Sequence, residues 1–287
     1  MPWYSKYLTV FEEPFSDAPI TVLEEVKEKL QRMQSDNPLA SVVVIAHNEE
    51  TRLLSCLWSL CDNICRYPIE IIGVDNNSVD RTSDVFKASG IPFFFEELKS
   101  CGYARRCGLK NAKGKYYICI DSDTMYPPHY IETTIRELEK PNVVGVSSFW
   151  SFIPDKDHSL WGLKLYEAIR DLYIRALFIK RPERGVRGLV FAYEAEFGRK
   201  VGYRVDIKRG EDGSMALGLK EYGKIKLITS RKARAVTASN TLNADGSLFN
   251  SFKVRALKGL KNINFFFTSQ TKPPIDEESN LIKDNDN

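Results

Sequence analysis

Short apolar runs punctuate the chain from residue 41 onward: SVVVIA (41–46), EIIGV (70–74), IPFFF (91–95), KYYICI (115–120) and NVVGVSSF (142–149). They are β-branched or aromatic and apolar at successive positions, the pattern of strands buried between two helix layers. Between them, polar stretches carry apolar residues at helical spacing: Leu53, Leu57 and Leu60, then Val85 and Ala88, then Ala104, Leu109 and Ala112, then Ile131, Ile135 and Leu138. Strand and helix alternate in steps of roughly 25 residues, which predicts an α/β fold built on a doubly wound, mostly parallel sheet.

Helical patterns flank this core. Ile20, Leu23, Val26, Leu30 and Met33 predict an amphipathic helix within an N-terminal extension (residues 1–38), ended by Ser35, Asp36, Asn37 and Pro38. Beyond residue 150 the alternation weakens. A long helical pattern from Leu160 to Leu177 leads into a Gly- and Arg-rich stretch, where strand-like runs at 188–192 and 226–228 bracket a helix opening near Gly213. Leu248, Phe249, Phe252, Leu257, Leu260 and Ile263 interleave with Lys253, Arg255, Lys258 and Lys261. They predict a basic amphipathic helix within residues 241–272, ahead of a disordered tail at 273–287. The expected organisation is a single domain over 39–240 with helical extensions.

Composition narrows the class without naming it. With 287 residues, 43% of them hydrophobic and 28% charged, the chain can bury a sizeable core and is neither disordered nor a disulfide scaffold. No apolar run reaches the ~20 residues of a membrane span, and no signal sequence is visible, so cytoplasmic residence is expected. The six cysteines form no Cys-x-x-Cys pair and read as free or buried thiols. A net charge of +3 does not suggest a nucleic-acid partner, but the basic residues crowd into 175–209 and 224–261, which suits an anionic ligand. The terminal basic helix has three candidate uses: peripheral membrane contact, closure of the acceptor side, or a dimer contact. Oligomeric state is left open.

Candidate chemistry gathers where the predicted strands end. The first strand runs into His47, Asn48 and Glu49, the second into Asp75, Asn76, Asn77 and Ser78, and the fourth into Asp121, Ser122 and Asp123. In an open parallel sheet the ligand sits beyond those carboxyl ends. Two carboxylates one residue apart, Asp121 and Asp123, can share Mn2+ or Mg2+ and leave coordination positions for phosphate oxygens. Gly210, Glu211, Asp212 and Gly213 open a later helix, and adjacent acids raise one another's pKa, which suits a general base.

The order SVVVIAHNEE, VDNNSVDRT, GYARRCGLKNAKGKYYICIDSDT and RGEDGSMALGL resembles the family 2 glycosyltransferases of GT-A fold, across residues 40 to 230. That resemblance implies metal-assisted transfer of a sugar, with inversion, from a nucleotide-sugar donor to a hydroxyl of a glycan or lipid-linked acceptor. It implies a nucleotide-binding half (39–125) and an acceptor half (126–240). By the same likeness His47 and Glu49 meet the nucleotide, Asp75 and Asn76 read base and ribose, and Arg105 lies near the diphosphate. Asp121 and Asp123 are the D-x-D residues for ribose and metal, and Asp212, beside Glu211, is the catalytic base. Asn76 stands where many members carry a second Asp, which leaves the donor base open. No Gln-x-x-Arg-Trp motif follows Asp212, so a processive polysaccharide synthase is not expected. The competing readings are a non-catalytic nucleotide-sugar or glycan-binding scaffold and an aspartate-nucleophile phosphatase built on Asp121 and Asp123.

Overall fold

The computed structural model describes residues 1–154 and 160–238. Its centre is a seven-stranded sheet made of β1 (Ala40–Ala46), β2 (Ile69–Asp75), β3 (Phe93–Phe95), β4 (Tyr116–Asp121), β6 (Val143–Ser148), β8 (Phe191–Glu194) and β9 (Lys224–Ile228). The order across it is β3-β2-β1-β4-β8-β6-β9. β8 runs antiparallel to both β4 and β6, and the other pairings are parallel. A small second sheet sets β10 (Ala235–Thr237) between β5 (Thr124–Met125) and β7 (Trp150–Phe152).

Alternation along the central strands builds a core on each face. Val42, Val44, Ile118 and Ile120 face one way, against Leu53, Leu57 and Leu60 of α2 (Leu53–Cys61) and Ile131 and Ile135 of α5 (Tyr130–Leu138). Val43, Val74, Tyr117 and Cys119 face the other way, against Ala104 and Leu109 of α4 (Cys101–Asn111) and Met215 and Leu219 of α9 (Glu211–Leu219). Helix α1 (Ile20–Met33) covers α2 and α3 (Thr82–Ser89). Beyond β7 come α6 (Leu160–Lys180), α7 (Pro182–Gly185) and, after β8, α8 (Ala195–Val201).

Several expectations change. The third apolar run is no buried strand: β3 pairs with β2 alone, at the sheet edge, and Phe95 is 54% exposed. The stripe that α1 buries is Val22, Val26 and Leu30, while Ile20 projects outward at its first turn. The second sheet went unanticipated because strands of two or three residues leave no periodicity to read. All six cysteines are free thiols. No described helix is long and apolar enough to cross a membrane. The basic pattern at 248–263 and the tail at 273–287 lie outside the described residues.

Candidate active site

The chain leaves β1 for β2 and β3 on one side and returns to β4 on the other, which makes the β1–β4 boundary the switch point of the sheet. Register does the rest: Ala46 pairs with Asp75 and Ile45 with Asp121, so the polar residues after all three strands emerge at one edge. A cleft of ≈ 220 Å³ opens there. His47, Glu49, Asn76, Arg105, Asp121, Asp123, Glu211 and Asp212 all line it, with Cys101 and Ser122. A second hollow of ≈ 180 Å³ between the N-terminal segment and α2, near Glu13, Phe15 and Leu54, holds none of these groups.

The loops after β1 and β2 interlock. Asn48 and Asn77 adopt left-handed conformations (φ 55° and 56°), which asparagine tolerates better than most residues. The Asn48 N–H donates to Ser78 Oγ (2.9 Å), and its Oδ1 accepts from the Val79 N–H (2.8 Å). The Glu49 N–H donates to Thr82 Oγ1 (2.8 Å), and His47 Nδ1 lies 2.7 Å from the Asn76 carbonyl oxygen. Arg52 pairs with Glu49 at 3.4 Å.

Two residues expected to read base and ribose are engaged in building this rim. Asp75 is fully buried, accepts from the Ser78 N–H (3.0 Å) and from the Ser83 hydroxyl, and does not line the cleft. The Asn76 amide donates to the Leu98 and Glu96 carbonyls (2.7 and 3.3 Å) and accepts from the Ser100 N–H (3.0 Å). It ties the loop that leads into α4. Asn76 still lines the cleft, whereas Asp75 supports the rim from behind.

The Arg105 side chain is 1% exposed and forms part of the cleft wall, ion-paired to Asp121 and donating to the Ile120 carbonyl (3.2 Å). Its Nε faces Asp212 Oδ1 at 3.8 Å, and neither atom has a hydrogen-bond partner among the described residues. Burial opposes its charge, but Cys119, Asp121 and Asp212 more than offset that, and its pKa stands well above the usual guanidinium value. Asp123 is held differently: the hydroxyls of Thr124 and Thr237 reach its Oδ1 at 2.9 and 3.3 Å. Thr237 arrives on β10, which pairs antiparallel with β5 directly after Asp123.

These carboxylates repel one another in a partly dry site. Burial, then Asp121, pushes Asp123 up to about 6. Burial, then Asp123, raises Glu49 to about 7 against the opposing pull of Arg52. Asp212 rises well above the carboxylate range through burial and then Glu211, with Arg105 opposing. A cation would relieve the first two. Among the described residues no three acidic, His or Cys side chains form a metal-ligand set, so the donors on offer are Asp123 and Asp121. That suits an ion such as Mg2+, which keeps waters and phosphate oxygens in its remaining positions.

Helix α9 presents Glu211 and Asp212 in its first turn, where the helix dipole favours negative charge. Gly210 at its N-cap has φ 100°, a value that a side chain would strain. Gly188 packs so closely that a Cβ there would sit 2.5 Å from Asp212 Oδ2 and 2.6 Å from Arg105 Nη2. Sequence reasoning missed Gly188, Thr124 and Thr237. The only hint was the glycine-rich stretch itself, which has no period to mark one glycine from another.

The sequence profile described as Glycosyl transferase family 2 matches residues 41–196, more than half of the chain. The chain belongs to glycosyl transferase family 2. Within the family it is 32% identical over 132 residues to an uncharacterized glycosyltransferase of Rickettsia prowazekii, a match covering 45% of this chain and 41% of that one. It is 32% identical over 118 residues to an N-acetylglucosaminyltransferase of Azorhizobium caulinodans, covering 38% and 30%. The chain thus spans under half the length of these relatives. Its fold is the GT-A fold of solved glycosyltransferases. The mannosyltransferase PcManGT from Pyrobaculum calidifontis, solved with GDP-Man and Mn2+, superposes with a TM-score of 0.55 at 15% identity, covering 89% of this chain and 76% of that one. Staphylococcus aureus TarS, residues 1–349 solved with UDP, gives 0.52 at 16% identity, covering 69% and 60%.

Proposed function

We propose that this family 2 protein moves a sugar, with inversion, from a nucleotide-sugar donor to a hydroxyl of a glycan or lipid-linked saccharide. One observation carries the reading: Asp121 and Asp123 after β4 and Asp212 on α9 converge on one cleft, with Arg105 buried between them. The complexes of PcManGT with GDP-Man and Mn2+ and of TarS with UDP support a nucleotide-sugar as donor.

Asp212 is the base. Its Oδ1 is buried and has no hydrogen-bond partner among the described residues, and burial, then Glu211, raises its pKa above the ordinary carboxylate value, which makes it a better proton acceptor. It removes the proton of the acceptor hydroxyl as that oxygen bonds to the anomeric carbon, while the bond from that carbon to the diphosphate oxygen breaks on the opposite face. Arg105 acts through its neighbours: it fixes Asp121 and offsets part of the negative charge around Asp212. His47 and Glu49 form the nucleotide rim. Asp123, with Asp121, would hold Mn2+ or Mg2+, which when bound offsets charge on the departing nucleoside diphosphate.

The test is a panel of nucleotide-sugars incubated with Mn2+ or Mg2+, following nucleoside diphosphate release with and without acceptor. Asp123→Asn and Asp212→Asn serve as controls. Full turnover in either variant would refute the role given to that residue.

A further inference from the structure

Helix α6 has two apolar faces. Leu163, Tyr166, Ile174 and Leu177 are buried against the domain. On the opposite face Trp161, Leu165, Ile169, Leu172 and Ile179 are 81, 65, 41, 69 and 80% exposed. Ala168 and Ala176 lie between them and are exposed too. At 100° per residue these seven positions fill one stripe without a charge, about 27 Å long. Such a stripe on a helix asks for a partner, and among the described residues it has none.

Charge narrows the choice of partner. The two acids of α6 turn inward: Glu167 accepts from the Ser151 hydroxyl and the Phe152 N–H (both 2.8 Å), and Asp171 takes Arg170 (2.9 Å) and Arg234. The charges left flanking the outer stripe are Lys164 and Lys180, both exposed, with Arg175 reaching back over the Phe149 ring (5.2 Å). A second copy of this helix would set those cations against their own kind. The segment 248–263 carries Lys253, Arg255, Lys258 and Lys261 and no acid, so it is repelled in the same way. An anionic bilayer surface satisfies both features: the stripe enters the acyl boundary, and the long basic side chains reach lipid phosphates.

We propose that the outer face of α6 seats this protein on anionic membrane. The same helix runs into α7, whose Glu183 carbonyl lies 3.0 Å from where a Cβ on Gly213 would stand, at the start of α9. The C-terminal end of α6 therefore lies close in the chain to a segment packed on the helix that carries Asp212. Only the use of the seat, presenting a lipid-linked acceptor to that base, rests on the transferase reading.

The experiment is co-sedimentation of the full chain, without substrates, with vesicles of phosphatidylcholine containing phosphatidylglycerol and with phosphatidylcholine alone. The wild type should partition to the anionic vesicles, less so as salt rises. Leu165→Glu/Leu172→Glu should lower that partition by about tenfold or more with an unchanged melting temperature. If that variant fails to fold, Lys164→Glu/Lys180→Glu should lower it in the same way. Failure of the wild type to bind overturns the proposal. So does retention of binding by these α6 variants, or its loss only in Phe252→Glu/Leu257→Glu. A wild-type dimer that the α6 variant dissociates, with no vesicle binding, assigns the face to a second copy instead. Vesicle binding without any transfer activity would leave the seat standing and remove the transferase reading.

Discussion

Replacing Gly188 by alanine puts one methyl group where the two halves of the site touch. The added Cβ would lie 2.5 Å from Asp212 Oδ2 and 2.6 Å from Arg105 Nη2, whereas ordinary contact begins near 3.4 Å, so about 0.9 Å must be found. Arg105 has little room to give it, being 1% exposed and held by both Asp121 and the Ile120 carbonyl. Asp212, 13% exposed and on the first turn of α9, is the freer partner, and its carboxylate, the proposed base, moves away from Arg105. Overpacking of this kind costs about 1–3 kcal/mol of stability, whereas misplacing a reacting group by ~1 Å costs on the order of 10²-fold in rate. Gly188→Ala should therefore lower kcat about a hundredfold, lower Tm by several degrees and leave nucleoside diphosphate affinity near wild type. Turnover would be followed by diphosphate release, and affinity by calorimetry. Wild-type kcat in a folded variant would refute the packing argument, and a loss confined to affinity would show that the strain falls on the nucleotide side.

Three further outcomes follow from the geometry. Glu211→Gln removes a charge that raises the Asp212 carboxyl, so the acid limb of the pH–rate profile should move to lower pH, and an unmoved limb would remove Asp212 as the titrating base. Thr237→Val deletes one of the hydroxyls at Asp123 Oδ1, should raise the apparent Mn2+ constant about tenfold at neutral pH, and should be rescued by Thr237→Ser; equal constants would mean that Asp123 needs no such support. Asp62 accepts from the Tyr7 hydroxyl (2.9 Å) and Lys29 (2.7 Å), and Asp62→Asn should cost about 1–3 kcal/mol in denaturant unfolding. Burial alone would raise the Asp62 carboxyl, but Lys29, Lys6 and Tyr7 outweigh it and lower it. Its contribution is therefore complete above the ordinary carboxylate range and lost as pH falls through it, and a pH-independent difference between variant and wild type would contradict this.

The central strands were legible because β1, β2 and β4 are buried on both faces and then turn polar within one residue, at His47, Asp75–Asn76 and Asp121. That abrupt change also exposed most of the cleft, since parallel register carries all three ends to one edge. Less legible was the part polar residues play in shaping the loops: the hydrogen bonds of Asp75 and Asn76 run to Ser78, Ser83, Ser100 and the Leu98 carbonyl, partners that no spacing announces. The burial of Arg105 had no signal in sequence, and only the fold shows its side chain 1% exposed and tied to Asp121 and the Ile120 carbonyl. The outward face of α6 stayed hidden for a related reason. A helix with two apolar faces has no preferred side in sequence, so Trp161 and Leu177 could not be told apart until the fold turned one outward and the other inward.

Thr237 reaches Asp123 across more than a hundred residues of sequence. During synthesis the strands that end in Asp75 and Asp121 emerge long before the segment that steadies the second carboxylate. A nascent chain can thus assemble the rim of the cleft early while Asp123 still lacks the β10 hydroxyl. Full support of that carboxylate is deferred until β10 has left the ribosome and docked.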